Sequence, residues 1–99
     1  MKRVAIKREA GTFAQDKDVA ARIREATIRP GLGRTGRVVV DFTGVDGATQ
    51  SFVHALIADI VRSEGANVLE RIEFHGCNST VRSIIGIVAE YSQLELPPD

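Results

Sequence analysis

The sequence is poor in residues that whole classes of protein depend on. It holds one cysteine, Cys77, in 99 residues, so no disulfide can close within the chain and a disulfide-stapled secreted scaffold is excluded. A lone thiol fits the reducing cytoplasm, which is the compartment expected for this chain. Tryptophan is absent, tyrosine occurs once and phenylalanine four times, so there is no aromatic cluster of the sort single-strand nucleic-acid binders stack bases on. No apolar run approaches the roughly 18 residues of a membrane-spanning helix. The opening MKRVAIKREAG carries positive charge without the apolar core of a secretory signal.

What is present describes one ordinary globular domain. The chain is 43% hydrophobic and 26% charged, values that support a single core and no second one. Residues 1–93 are expected to form that domain, and residues 94–99, with Pro97 and Pro98, a short flexible tail. Net charge is zero but unevenly spread: residues 1–37 hold ten Lys and Arg against four acids, and the remainder three Arg against nine acids. Such asymmetry suits an acidic partner, nucleic acid or head-to-tail self-association into a homodimer. Solvated surface charge is the plainer explanation.

The stretch VVVDFTGVDGATQSFVHALIADIVRSEG, residues 38–65, organises the rest. Val38, Val39 and Val40 form a strand whose apolar run fits burial on both faces of a sheet. Gly44 and Gly47 break it into a loop, and a helix-period pattern of Phe52, Val53, Leu56, Ile57, Ile60 and Val61 follows over residues 50–63. Thr49 is the expected N-cap, worth about 1 kcal/mol, and Gly65 the expected stop. Upstream, Arg3 to Lys7 alternates like an edge strand, Phe13 is expected in the core, and Asp16 or Asp18 caps a helix that Pro30 should end near Ile28. Downstream, Val68 to Phe74 reads as a third strand. Asn78 or Ser79 then caps a last helix carrying Val81, Ile84, Ile85, Val88 and Ala89. The sum is an α/β domain: a mostly parallel sheet of three to four strands packed by about three helices.

Several motifs invite chemistry and do not carry it. Gly31 to Gly36 spell G-x-G-x-x-G, but a dinucleotide fingerprint must follow a strand and open a helix. Here the glycines follow a helix and enter a strand, as a mobile connector would. His75 and Cys77 with His54 fall short of the three or four ligands of a zinc site. Nothing in the sequence marks Cys77 as an activated thiolate, and Asp41 with Asp46 has no defined acid–base geometry. The chain is therefore expected to be no enzyme and to need no cofactor or metal.

The segment VVVDFTGVDGATQSFVHAL resembles the hallmark of the STAS-like domains, a family of unknown function, at Asp41, Phe42, Gly44, Val45, Ser51 and Phe52. The resemblance extends over most of the chain and implies a small α/β STAS-like fold. Those domains are in turn similar to the anti-sigma factor antagonists, cytoplasmic non-enzymes that bind a serine/threonine kinase of the histidine-kinase-like ATPase fold. That kinase phosphorylates a serine at the start of the helix after the central strand. Matching strand to strand puts Ser51 at that position, with Thr49 as a neighbouring candidate. Where the antagonists have Asp-Ser-Ser-Gly, this chain has Thr49, Gln50, Ser51 and Phe52.

What the resemblance implies is an interaction module for such an ATPase or another regulator, docking through Asp46, Gly47, Thr49, Gln50, Ser51 and His54. The alternative, drawn from charge, is a nucleic-acid- or nucleotide-binding domain using Arg22, Arg24, Arg29, Arg34 and Arg37 of the basic N-terminal third. The scarcity of aromatics makes nucleic acid the weaker expectation, and neither reading involves a membrane.

Overall fold

The computed structural model describes residues 2–94. Along the chain come strand β1 (Lys2–Ala5), helix α1 (Ile6–Ala10), β2 (Phe13–Ala14), α2 (Lys17–Ile23), a π-helical segment (Arg24–Ile28) and α3 (Arg29–Leu32). They are followed by β3 (Val38–Asp41), β4 (Gly47–Ala48), α4 (Gln50–Glu64), a 3₁₀ stretch (Ala66–Arg71), β5 (Ile72–His75) and α5 (Ser79–Leu94). β1, β3 and β5 form a parallel three-stranded sheet in the order β1-β3-β5, while β2 and β4 make a separate parallel pair. This is the α/β, mostly parallel arrangement expected, with five helices rather than about three. Of the expected tail, all but Leu94 lies outside the described residues.

The helices cover one face of the sheet. Both connections between sheet strands advance in the same direction, and right-handed crossovers then put their helices on the same side. Val4, Val38, Val40 and Ile72 point into the core shared with Phe52, Leu56, Ile60, Val81 and Val88. Val39 is also buried, at 4% exposure, yet lies outside that core. It sits on the opposite face in register with Arg3 and Glu73. Around it run the ion pairs Arg3–Asp41 (2.8 Å) and Arg37–Glu73 (3.3 Å). The expected burial on both faces thus holds, with the second face flanked by the stems of charged neighbours rather than by a helical layer.

Four local expectations are corrected. β1 ends at Ala5 instead of Lys7, because Lys7 to Ala10 are good helix formers and Gly11, at φ 82°, closes the short helix they make. Pro30 does not end the helical run, which reaches Leu32. Pro30 has no N–H and its ring crowds the carbonyl four residues back. The π-helical register immediately before it, with Arg29 N–H bonded to the carbonyl of Arg24, absorbs that conflict. The third strand starts only at Ile72, since a strand over residues 68–74 would alternate Glu70 onto the core face between Val68 and Ile72. The 3₁₀ stretch instead buries Val68 and leaves Glu70 exposed. Phe13 is 51% exposed, because a two-residue strand that buries Ala14 must turn its neighbour outward.

The glycine segment between α3 and β3 is packed, not loose. Gly36 N–H bonds to the Leu32 carbonyl at 2.6 Å, and the Arg71 guanidinium donates to the carbonyls of Leu32 and Gly36 at 3.1 Å each. A Cβ at Gly31 would meet Val38 and Lys2.

Candidate functional site

The site is built where β3 hands over to α4. Asp41 closes the strand by accepting hydrogen bonds on Oδ1 from the Thr43 amide (2.9 Å) and hydroxyl (2.6 Å), and on Oδ2 from Arg3. The Thr43 bonds above all, and then Arg3, hold its carboxyl down at about 2. It is thus an ionised fixture of the turn, unsuited to taking up protons near neutrality. The loop beyond is anchored at both ends of the β2–β4 pair: Asp46 N–H bonds to the Thr12 carbonyl (2.7 Å) and Thr49 N–H to the Ala14 carbonyl (2.9 Å). Asn78 ties the same loop to α5, donating to the Asp46 carbonyl (2.8 Å) while its Oδ1 caps α5 through Val81 N–H (2.8 Å).

These anchors fix which residue caps α4. Thr49 is extended, at φ −82° and ψ 156°, and its Oγ1 accepts from Phe52 N–H at 3.1 Å, the geometry of an N-cap to the third helical residue. Ser51 is the second helical residue. Its side chain is exposed, and its hydroxyl makes no hydrogen bond among the described residues. Capping and display are divided between the two hydroxyls.

Beside Ser51 lies an open cleft of about 500 Å³ lined by Lys17, Gln50, Ser51, His54, Ala55 and Tyr91. Three helices meet there, with α2 giving Lys17 and α5 giving Tyr91. His54 Nδ1 is 2.8 Å from the Tyr91 hydroxyl, with the rings 5.6 Å apart, and His54 Nε2 is 3.1 Å from an Arg62 nitrogen. A guanidinium can only donate. Nε2 therefore accepts, the imidazole proton sits on Nδ1, and Tyr91 receives it.

Of the residues expected to meet a partner, the structure brings Gln50, Ser51 and His54 to the cleft and leaves Asp46 exposed on the loop before it. Thr49 is half-buried in its capping role. Gly47 is buried beneath the ring of Phe13, where a Cβ would come within 2.9 Å of that ring, so this part of the surface is Phe13.

Residues 19–82 match the model of the STAS-like domain of unknown function (DUF4325). The chain belongs to that family. No curated protein and no solved structure matches the chain. The matched span of the STAS-like domain includes the loop, Thr49, Ser51 and the whole of α4, while Lys17 and Tyr91 fall outside it.

Elsewhere in the STAS-like domain the polar candidates are occupied. His75 pairs with Glu73 at 3.2 Å, and the His75 and Arg37 contacts pull the Glu73 carboxyl below its usual range. Burial pushes the Cys77 thiol up, the direction opposite to an activated nucleophile. Among the described residues no three His, Cys, Asp or Glu side chains gather as metal ligands. No helix among them is long and apolar enough to cross a membrane. In the basic third, Arg24 pairs with Glu25 (2.7 Å) and Asp59 (3.3 Å), Arg29 with Glu25 (3.1 Å), and Arg37 with Glu73, leaving Arg22 and Arg34 exposed.

Sequence reasoning reached Thr49, Ser51 and His54 but not Lys17, Tyr91 or Arg62. Arg62 had a local signal, two helical turns beyond His54 on the same helix. Lys17 and Tyr91 had none, because only tertiary packing sets α2 and α5 beside the start of α4.

Proposed function

We propose that this STAS-like domain is a non-catalytic protein-interaction module that docks through the loop Gly44–Gln50 and the first turns of α4. In this proposal Ser51 is a phosphorylation switch set by a partner kinase of the histidine-kinase-like ATPase fold. The observation that carries it is the freedom of the Ser51 hydroxyl, exposed at a helix start whose capping is already done by Thr49. A phosphate there adds about −1.5 to −2 charges and three acceptor oxygens to the docking face. The end of α4 tolerates that charge, with a helix-dipole contribution of about 0.3–1 kcal/mol in its favour, so partner binding changes while the fold does not. The non-catalytic part is supported by the occupations just described: Asp41 holds a turn, His54 lies between Arg62 and Tyr91, and the Cys77 thiol is raised.

The test compares wild type, Ser51→Ala and Ser51→Asp by calorimetry against a histidine-kinase-like ATPase from the same cell. Ser51→Ala is expected to bind like wild type and Ser51→Asp at least tenfold more weakly. Equal affinities for all three remove the switch.

A further inference from the structure

We infer that the cleft between α2, α4 and α5 receives the phosphoryl group once Ser51 carries it, with Lys17 and Tyr91 as the receiving residues. The inference rests on Ser51 being the acceptor proposed above and adds what becomes of the phosphate afterwards.

Its first support is the composition of the walls. Thirteen acids are present in the chain, yet none of the described residues lining this cleft is one. Among the described residues its lining is a single ammonium, Lys17, with the amide of Gln50, the hydroxyls of Ser51 and Tyr91, the His54 ring and Ala55. Of the charged groups close by, Asp16 and Asp18 flank Lys17 in sequence, Arg62 stands behind His54, and Arg24 donates to the Ala55 carbonyl at 2.7 Å while Asp59 pairs with both Arg24 and Arg62. None of the five is among the lining residues.

The second support is the direction of the hydrogen bonds. Arg62 donates to His54 Nε2, so His54 donates from Nδ1 to the Tyr91 oxygen at 2.8 Å. A tyrosine hydroxyl that accepts in this way still has its own proton to give. With the ring held in place by His54, that proton is left for the cleft. Successive donors polarise one another, so the chain from Arg62 through His54 ends in an oriented O–H on the cleft that Ser51 also lines. A dianionic group with three acceptor oxygens suits such a lining, and about 500 Å³ exceeds its size several times over. A phosphate seated here joins the first turn of α2 to the first turn of α4 and to the last turn of α5.

The experiment installs phosphoserine at position 51 by genetic encoding and follows its second ionisation by ³¹P NMR from pH 4 to 8. No kinase or partner is involved, so a failure here leaves the docking proposal standing and is distinguishable from a failed docking experiment. The ionisation is expected about 0.5–1 unit below the free phosphoserine value of about 6, the size one partly exposed cation and the start of α4 supply together. Lys17→Met should return the larger part of what the cleft contributes and Tyr91→Phe a smaller part, the share due to the start of α4 remaining. Arg34→Gln, an exposed charge removed elsewhere, should return none. The amide spectra of the variants, recorded beside the titration, confirm that each is folded. A phosphate that titrates at its free value, or one whose full shift survives both Lys17→Met and Tyr91→Phe, overturns the inference.

Discussion

The division of labour between Thr49 and Ser51 can be tested by stability alone. In Thr49→Ala the Phe52 N–H loses the oxygen it meets at 3.1 Å. Loss of a threonine N-cap costs about 0.5–2 kcal/mol. The upper half of that range is expected because Phe52 is fully buried and water is poorly placed to replace the hydroxyl. For a domain of this size about 1–2 kcal/mol lowers the melting temperature by roughly 4–8 °C per kcal/mol. Ser51→Ala removes a hydroxyl bonded to nothing among the described residues, so its change should stay within about 0.5 kcal/mol. Thr49→Ser keeps the accepting oxygen and should lie close to wild type. Thermal and urea unfolding of the three variants supply the numbers. If Ser51→Ala proves the more damaging, Ser51 is the cap, and a phosphate there would remove a structural bond.

Other expectations follow from the same geometry. Ser92 is fully buried and its hydroxyl has no hydrogen-bond partner among the described residues, so Ser92→Ala should raise stability by about 1 kcal/mol in urea titration. Phe42 and Phe52 have no exposed surface, and either changed to Ala should cost about 3–5 kcal/mol. The Asp41 carboxyl is held down from 3.8 to about 2, so its stabilisation is complete above the unfolded value and disappears as the pH falls from about 4 to 2. Asp41→Asn should therefore be less stable at neutral pH and show a flatter acid limb. Because Arg24, Arg29 and Arg37 are already paired with carboxylates, a DNA oligonucleotide should bind weakly even in low salt. Tight binding that falls steeply with salt would favour the nucleic-acid alternative instead.

The elements with long periodic patterns were the legible ones. α4 and α5 each repeat apolar residues at helical spacing, and both Thr49 and Gly65 punctuate α4 as their chemistry suggests, Gly65 at φ 89°. β3 was legible as a strand but not in its surroundings. Three consecutive valines look the same whether the second is covered by a helix or by the stems of charged neighbours, and only the sheet order distinguishes the two. Pro30 misled for a similar reason, since its cost is local but the π-helical register that accommodates it leaves no mark in the sequence; the same segment is joined to α4 by Arg24, which donates to the Ala55 carbonyl at 2.7 Å. Phe13 shows that a lone aromatic outside a periodic pattern carries no face. In the candidate site, the α4 start was legible because its residues are contiguous. The cleft was not, because Lys17 and Tyr91 join it from elements 34 and 40 residues away from Ser51.

The central claim is that Ser51 is the modified residue, and phosphate mapping on the native protein tests it most directly. The protein would be purified from its own cells, in growth and in starvation, and its peptides read by tandem mass spectrometry. A phosphate localised to Ser51, changing in occupancy between the two conditions, is the predicted result. A peptide spanning residues 38–62 that stays unmodified in both conditions, or that carries its phosphate on Thr49 alone, contradicts the claim.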